Sequence, residues 1–207
     1  MSQLLDGHQL FKNNYFQENQ KDFARLVKDG QSPKALFIGC SDSRVIPDLI
    51  LNTGPGDLFV IRNVGNFVPP HSTTEDFHGT ASAIEYAVSV LNVSEIIICG
   101  HTHCGACATL HKLEKVENLP HLKKWLQIGE EAKNLAVLSN NTGEDLLRQT
   151  EKISVKTQID HILTYPEVRK RVLNKKLHIH GWLYHIENGN IEYYDYETKS
   201  FKLLDNK

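Results

Sequence analysis

EIIICGHTHCGA, residues 95–106, is an apolar run that ends abruptly in two histidines and a cysteine. Glu95–Cys99 is apolar on both faces, as a parallel strand covered by helices on both sides must be. A second stretch has the same form: KALFIG, Lys34–Gly39, runs into Cys40-Ser41-Asp42-Ser43-Arg44. Open α/β sheets bind ligands beyond the carboxyl ends of their strands, so both polar loops fall where a functional edge is expected. Parallel strands joined by a crossover can set the two loops side by side.

Working outward, residues 3–28 carry Leu4, Leu5, Leu10, Phe11, Tyr15, Phe16, Phe23, Leu26 and Val27 and read as an amphipathic helix, with Gly30 as its C-terminal stop. Residues 44–52 read as helical, with Pro47 limiting the start. A turn at Gly54-Pro55-Gly56-Asp57 leads into a strand, Leu58–Arg62. Residues 74–91 form the clearest helix: Phe77, Ala81, Ile84, Val88 and Leu91 share one face, and Thr73 or Thr74 caps it. Two further helices are expected within 120–175. Residues 177–187 and 190–196, joined by Asn188-Gly189, read as an antiparallel hairpin. The fold class expected is α/β, a three-layer sandwich around a mostly parallel sheet with an antiparallel edge hairpin.

Composition narrows the function. At 207 residues the chain reads as a single domain spanning 1–207, large enough to bury a core without disulfide staples. Lys plus Arg number 23 and Asp plus Glu 25, for a formal charge of −2, which gives no electrostatic case for nucleic acid or an anionic membrane as partner. The run Ile96–Cys99 falls far short of the ~20 apolar residues that span a bilayer. Met1–Asp6 lacks the basic and apolar regions of a secretory signal, so a cytoplasmic location is expected, where disulfides are rare. The four cysteines, Cys40, Cys99, Cys104 and Cys107, then need another explanation.

Cys40, His101 and Cys104 supply two thiolates and one imidazole, a zinc set with an open fourth position, as catalytic zinc sites have. Cys99, inside its isoleucine run, reads as a small buried hydrophobe. Histidines 103, 111, 121, 161, 178, 180 and 185 read as surface or satisfied polar groups. Cys104-Gly105-Ala106-Cys107 offers a rival, a Cys-x-x-Cys opening a helix as in thiol–disulfide oxidoreductases. That reading leaves Cys40, Asp42, Arg44 and His101 without a task, and Cys107 is expected instead to pack on the inner face of the following helix.

GCSDSRV at 39–45, PGDLFVIRNVGN at 55–66, SAIEYAV at 82–88, IIICGHTHCGA at 96–106 and HGWLY at 180–184 together resemble the β-class carbonic anhydrases, across most of the chain. The resemblance implies one Zn²⁺ per chain on Cys40, His101 and Cys104, and reversible conversion of carbon dioxide to bicarbonate. It implies a catalytic dyad of Asp42 and Arg44, with Asp42 as a further metal ligand in a closed state. It also implies substrate contacts from Gln31, Phe59, Val64, Tyr86 and the Gly105 amide. The protein is then a homo-oligomer, a dimer or dimer of dimers, whose residues 1–30 form a helical arm on the partner subunit. Phe37 stands where members with an inhibitory bicarbonate site carry Trp, which favours the plant-like, uninhibited subgroup, although Arg62 is retained. Two thiolates cancel the charge of the ion and leave its water less acidic than three imidazoles would, so an alkaline optimum is expected. Two alternatives remain open: a zinc hydrolase of carbon disulfide or carbonyl sulfide on the same scaffold, and a non-catalytic zinc-binding subunit.

Overall fold

The computed structural model describes residues 2–73 and 78–204. Its framework is a six-stranded sheet ordered β2-β1-β3-β4-β5-β6. The strands are β1 (Ala35–Cys40), β2 (Leu58–Asn63), β3 (Glu95–His101), β4 (His178–Tyr184), β5 (Ile191–Asp195) and β6 (Ser200–Leu203). The first four in spatial order run parallel, and β5 and β6 add antiparallel edges. Every residue of β1 is buried, as are the last six of β3. From β1 the chain passes to β2 on one side and then to β3 on the other. This reversal opens a crevice beyond the carboxyl ends of β1 and β3, where no crossover covers the sheet.

One face of the sheet packs Leu36, Ile38, Ile96 and Ile98 against α5 (Gly79–Glu85), α9 (Gly143–Ile162) and α10 (Pro166–Leu173) through Ile84, Val155, Ile159, Ile162 and Val168. The helix α9 lies close on the sheet because two strand positions carry no side chain. A Cβ on Gly100 would stand 2.6 Å from Val155 Cγ2, and one on Gly181 2.6 Å from Ile159 Cδ1. The opposite face carries Ala35, Phe37, Ile97 and Cys99, with Leu51 of α4 (Pro47–Leu51), Trp182 and Tyr184 against them. The α/β class, the mostly parallel sheet and the antiparallel edge are as the sequence led one to expect.

Several element boundaries differ. The single helix expected over 3–28 is three: α1 (Ser2–Asn13), α2 (Tyr15–Glu18) and α3 (Gln20–Asp29). The breaks fall at Asn14 and Asn19, which adopt non-helical dihedrals, and asparagine competes poorly for helix interiors. None of the three helices buries a residue within the chain. Pro47 starts α4 as its first residue, so helix begins three positions later than expected. In the helix expected over 74–91, Thr74 and Phe77 lie outside the described residues. The rest is α5 followed by a π-helical turn, Tyr86–Val90, closed by the Leu91 amide on the Tyr86 carbonyl. Residues 120–175 hold four helices rather than two: α7 (Pro120–Leu126), α8 (Glu130–Val137), α9 and α10. The expected hairpin is present as β4 and β5, and a second one, β5 to β6, follows it.

Candidate metal centre

Cys40 ends β1 and His101 ends β3, while Cys104 immediately precedes α6 (Gly105–Leu110). The crevice therefore brings together residues 61 positions apart: one ligand atom from each of the three lies within 4.8 Å of the others, the single such group among the described residues. All three are buried. The His101 Nδ1 lies 2.9 Å from the Thr102 carbonyl oxygen, which can only accept, so Nδ1 carries a hydrogen and, in the neutral imidazole, the lone pair is on Nε2. That Nε2 is buried and has no hydrogen-bond partner. A buried bare imidazole nitrogen beside two sulfurs fits a borderline-soft divalent metal.

The thiols tell the same story. The neighbouring Cys104 sulfur and burial push the Cys40 thiol up to about 12, and Cys107 with burial raises Cys104. Two crowded, buried thiols resist ionising until a cation compensates them, and metal binding then releases their protons. The amides of Asp42 and Gly65 both donate to Cys40 Sγ at 3.4 Å, ready to support a thiolate.

Asp42 and Arg44 form a fork at the rim. Arg44 Nε donates to Asp42 Oδ1 at 2.9 Å and Nη2 to Oδ2 at 2.7 Å, and the Arg44 amide adds 3.0 Å to Oδ1. The guanidinium holds the Asp42 carboxyl well below the usual carboxylate range. Arg44 Nη2 also reaches the carbonyl of His103 at 3.2 Å, and His103 is in the left-handed region, at φ 58°. The second loop is anchored from behind. Glu151 of α9 accepts the Cys104 amide and Arg148 Nη2, both at 2.9 Å on Oε1. Burial pushes the Glu151 carboxyl up to about 7. The Thr102 hydroxyl donates to Glu187 at 2.6 Å, which helps bring that exposed carboxyl down to about 2, and accepts the Ile186 amide at 3.0 Å.

Among the residues singled out from the sequence, one chain brings together Cys40, Asp42, Arg44, His101, Cys104 and, at the first position of α6, Gly105. Val64 stands beside them: the Gly65 amide contacts Cys40 Sγ, and the Val64 carbonyl accepts Trp125 Nε1 at 2.7 Å. Gln31, Phe59 and Tyr86 stand elsewhere. Gln31 precedes β1 at the end opposite Cys40; Phe59 packs on the apolar core in register with Leu36, whereas Cys40 is in register with Asn63, and the exposed Tyr86 ring lies 5.8 Å from that of Phe59. Cys99 and Cys107 are buried in apolar clusters, in agreement with the packing roles read from the sequence. His111, His161, His178, His180 and His185 all have hydrogen-bond partners. Sequence reasoning missed Glu151, Trp125 and the anchoring of Arg62 at this site. Glu151 could have been noticed only as an acid that shares a helix face with Val155 and Gln158, a faint signal in a helix this polar.

A mixed sheet whose switch point holds a buried Cys-His-Cys set beside an aspartate–arginine fork defines a metal enzyme of the carbonic anhydrase type. The family model for carbonic anhydrase matches residues 35–191, and the chain belongs to that family. Within it the chain is of the β class. It is 41% identical over 195 residues to a carbonic anhydrase of Synechococcus elongatus, covering 92% of this chain and 70% of the relative. It is 38% identical to one from Helicobacter pylori, covering 92% and 90% of the two chains. The solved structure of the beta-carbonic anhydrase CcaA superposes with a TM-score of 0.94 at 40% identity, over 100% of this chain and 93% of that one. One of two tetrameric beta-carbonic anhydrases from Sordaria macrospora matches at TM-score 0.80 and 28% identity, covering 99% and 96%.

Proposed function

We propose that the chain holds one Zn²⁺ through Cys40, His101 and Cys104 and catalyses the reversible hydration of carbon dioxide to bicarbonate and a proton. The bare, buried His101 Nε2 between two sulfurs carries this reading. A zinc ion held by these three residues would supply the acidity that makes hydroxide available near neutral pH for addition to carbon dioxide. Asp42, held by Arg44 at the rim of the site, would accept a hydrogen bond from the attacking oxygen and so orient it toward the substrate. Arg44 keeps that carboxylate ionised and engaged, and without Arg44 the carboxylate would be free to turn toward the metal. The Gly105 amide supports negative charge growing on a substrate oxygen.

The remaining substrate contacts, Gln31, Phe59 and Tyr86, come in this reading from a second copy, which completes the pocket beside Val64. Val60, Val64 and Tyr86 are roughly two-fifths exposed, and Leu49 three-quarters. Leu4, Leu5, Leu10 and Phe11 lie bare on the N-terminal helices. Apolar surface on this scale requires cover. A homodimer in which residues 1–30 clasp the partner supplies it, and dimers pair further as in the tetrameric relatives. Residues 1–207 then act as one domain, and four buried free cysteines suit the reducing cytoplasm. No helix among the described residues is long and apolar enough to cross a membrane.

The test is stopped-flow carbon dioxide hydration by purified protein of measured metal content. About one zinc per chain and a rate that rises toward alkaline pH are expected. Zinc-loaded protein inert toward carbon dioxide but active on carbon disulfide or carbonyl sulfide would overturn the substrate assignment, and protein inert toward all three would point to a non-catalytic subunit.

A further inference from the structure

Arg62 lies on β2, directly across from Gly39 and one residue from the end of the strand. Its guanidinium makes no ion pair with a carboxylate among the described residues. Instead Nε donates to the Cys40 carbonyl at 3.0 Å and Nη2 to the Asp42 carbonyl at 2.7 Å. The adjacent Asn63 carbonyl accepts the Ser41 amide at 2.8 Å. Three consecutive residues of the loop are therefore pinned, from one strand, at backbone atoms. Arginine presents two donors from separate nitrogens on one rigid plane, whereas a lysine ammonium is a single point donor on a flexible stem and would hold the two carbonyls less firmly.

We infer that Arg62 is a positioning residue for the hydration reaction, which sets the backbone from which the Asp42 carboxylate hangs and so keeps that carboxylate on Arg44 and off the metal. This rests on the reading that Asp42 and Arg44 act beside a metal on Cys40, His101 and Cys104. The division of labour follows from the contacts. Arg44 holds the carboxylate oxygens themselves. Arg62 holds the carbonyls on either side of Ser41, and so restrains the peptide planes whose rotation would turn the Asp42 side chain toward the sulfurs. With Arg62 removed, both carbonyls go to solvent and the loop gains rotational freedom. The Asp42 side chain then divides its time between two competing partners, the guanidinium and the metal.

The experiment compares Arg62→Met, Arg62→Lys, Asp42→Asn and the double variant Arg62→Met/Asp42→Asn, as full-length protein loaded with Zn²⁺ or with Co²⁺ as a visible probe of coordination. Arg62→Met is expected to keep one metal per chain and lose about tenfold in kcat, the weight of one charge-assisted hydrogen bond. Its cobalt spectrum at alkaline pH should gain the bands of a carboxylate-ligated centre, and Arg62→Lys should fall between it and the parent. In the Asp42→Asn background, Arg62→Met should cost almost nothing more, because an arginine that acts through Asp42 has nothing left to position. A parent-like cobalt spectrum in Arg62→Met, or a full tenfold loss repeated in the double variant, overturns the proposal. Should Arg62→Met fail to fold, an unshifted spectrum in Arg62→Lys does the same. If Asp42→Asn alone leaves the rate untouched, the fault lies with the dyad reading, whereas a slow Asp42→Asn beside a normal Arg62→Met condemns only the positioning role.

Discussion

Replacing Glu151 with Gln tests the buried anchor behind the metal loop. The Glu151 side chain is 1% exposed, and burial raises its carboxyl from 4.5 to about 7 against the weaker opposing pull of the Cys104 amide and Arg148. At ~1.4 kcal/mol per tenfold in proton affinity, the ionised carboxylate costs the folded state about 3 kcal/mol. The sign follows from proton binding. Between pH 4.5 and about 7 the folded chain retains a proton that the unfolded chain has released, so stability falls as pH rises through that window and levels off above it. Glutamine keeps an oxygen for the Cys104 amide and has no charge to bury. Relative to the parent, Glu151→Gln should therefore gain stability from pH 4.5 to 8, by up to about 3 kcal/mol. Other titrating groups, and the protons displaced by zinc, are common to both proteins and cancel in the difference. Urea unfolding of the zinc-loaded proteins at several pH values measures it. Two stability curves that run parallel, within ~0.5 kcal/mol from pH 4.5 to 8, would refute the argument and place the titration of Glu151 in the ordinary range.

Four further outcomes are expected. Cys104→Ser should lose metal and activity together, while Cys99→Ser and Cys107→Ser keep both; metal analysis beside the hydration assay decides, and loss confined to Cys107→Ser would revive a redox role for the Cys-x-x-Cys. Arg44→Ala should retain its zinc and lose most turnover, and a structure at alkaline pH should show Asp42 on the metal; an open centre with near-normal turnover would reduce the pair to a surface ion pair. Deleting residues 1–28 should yield unstable or aggregating protein by sedimentation, and a well-behaved active monomer would argue against the clasping arm. Gly100→Ala would drive a methyl to 2.6 Å from Val155 Cγ2, and thermal unfolding should register about 1–3 kcal/mol of destabilisation from that overpacking.

Much of this molecule was legible along the chain because the signals concerned are local. Buried strands β1 and β3 announce themselves as unbroken apolar runs that end at polar loops, and Gly30 supplies the positive φ of 78° that ends α3. The chemistry of Cys40, His101 and Cys104 was readable for the same reason, since strand ends in an α/β sheet face a shared edge. Other features have no local signature. The backbone breaks at Asn14 and Asn19 within an otherwise helical apolar pattern, and β6 is a four-residue edge that exists only because β5 offers it hydrogen-bonding groups. Sequence alone determined the residue types at the site and the strands that carry them. That Cys40, His101 and Cys104 meet was decided by the sheet order, in which β1 lies between β2 and β3 and leaves a crevice at the switch point. Only packing through space brings Glu151 to the Cys104 amide across 47 positions and leaves Gln31, Phe59 and Tyr86 away from the sulfurs of their own chain. Periodicity records which face of an element is buried, whereas a site is assembled from long-range closures that no stretch of neighbouring residues encodes.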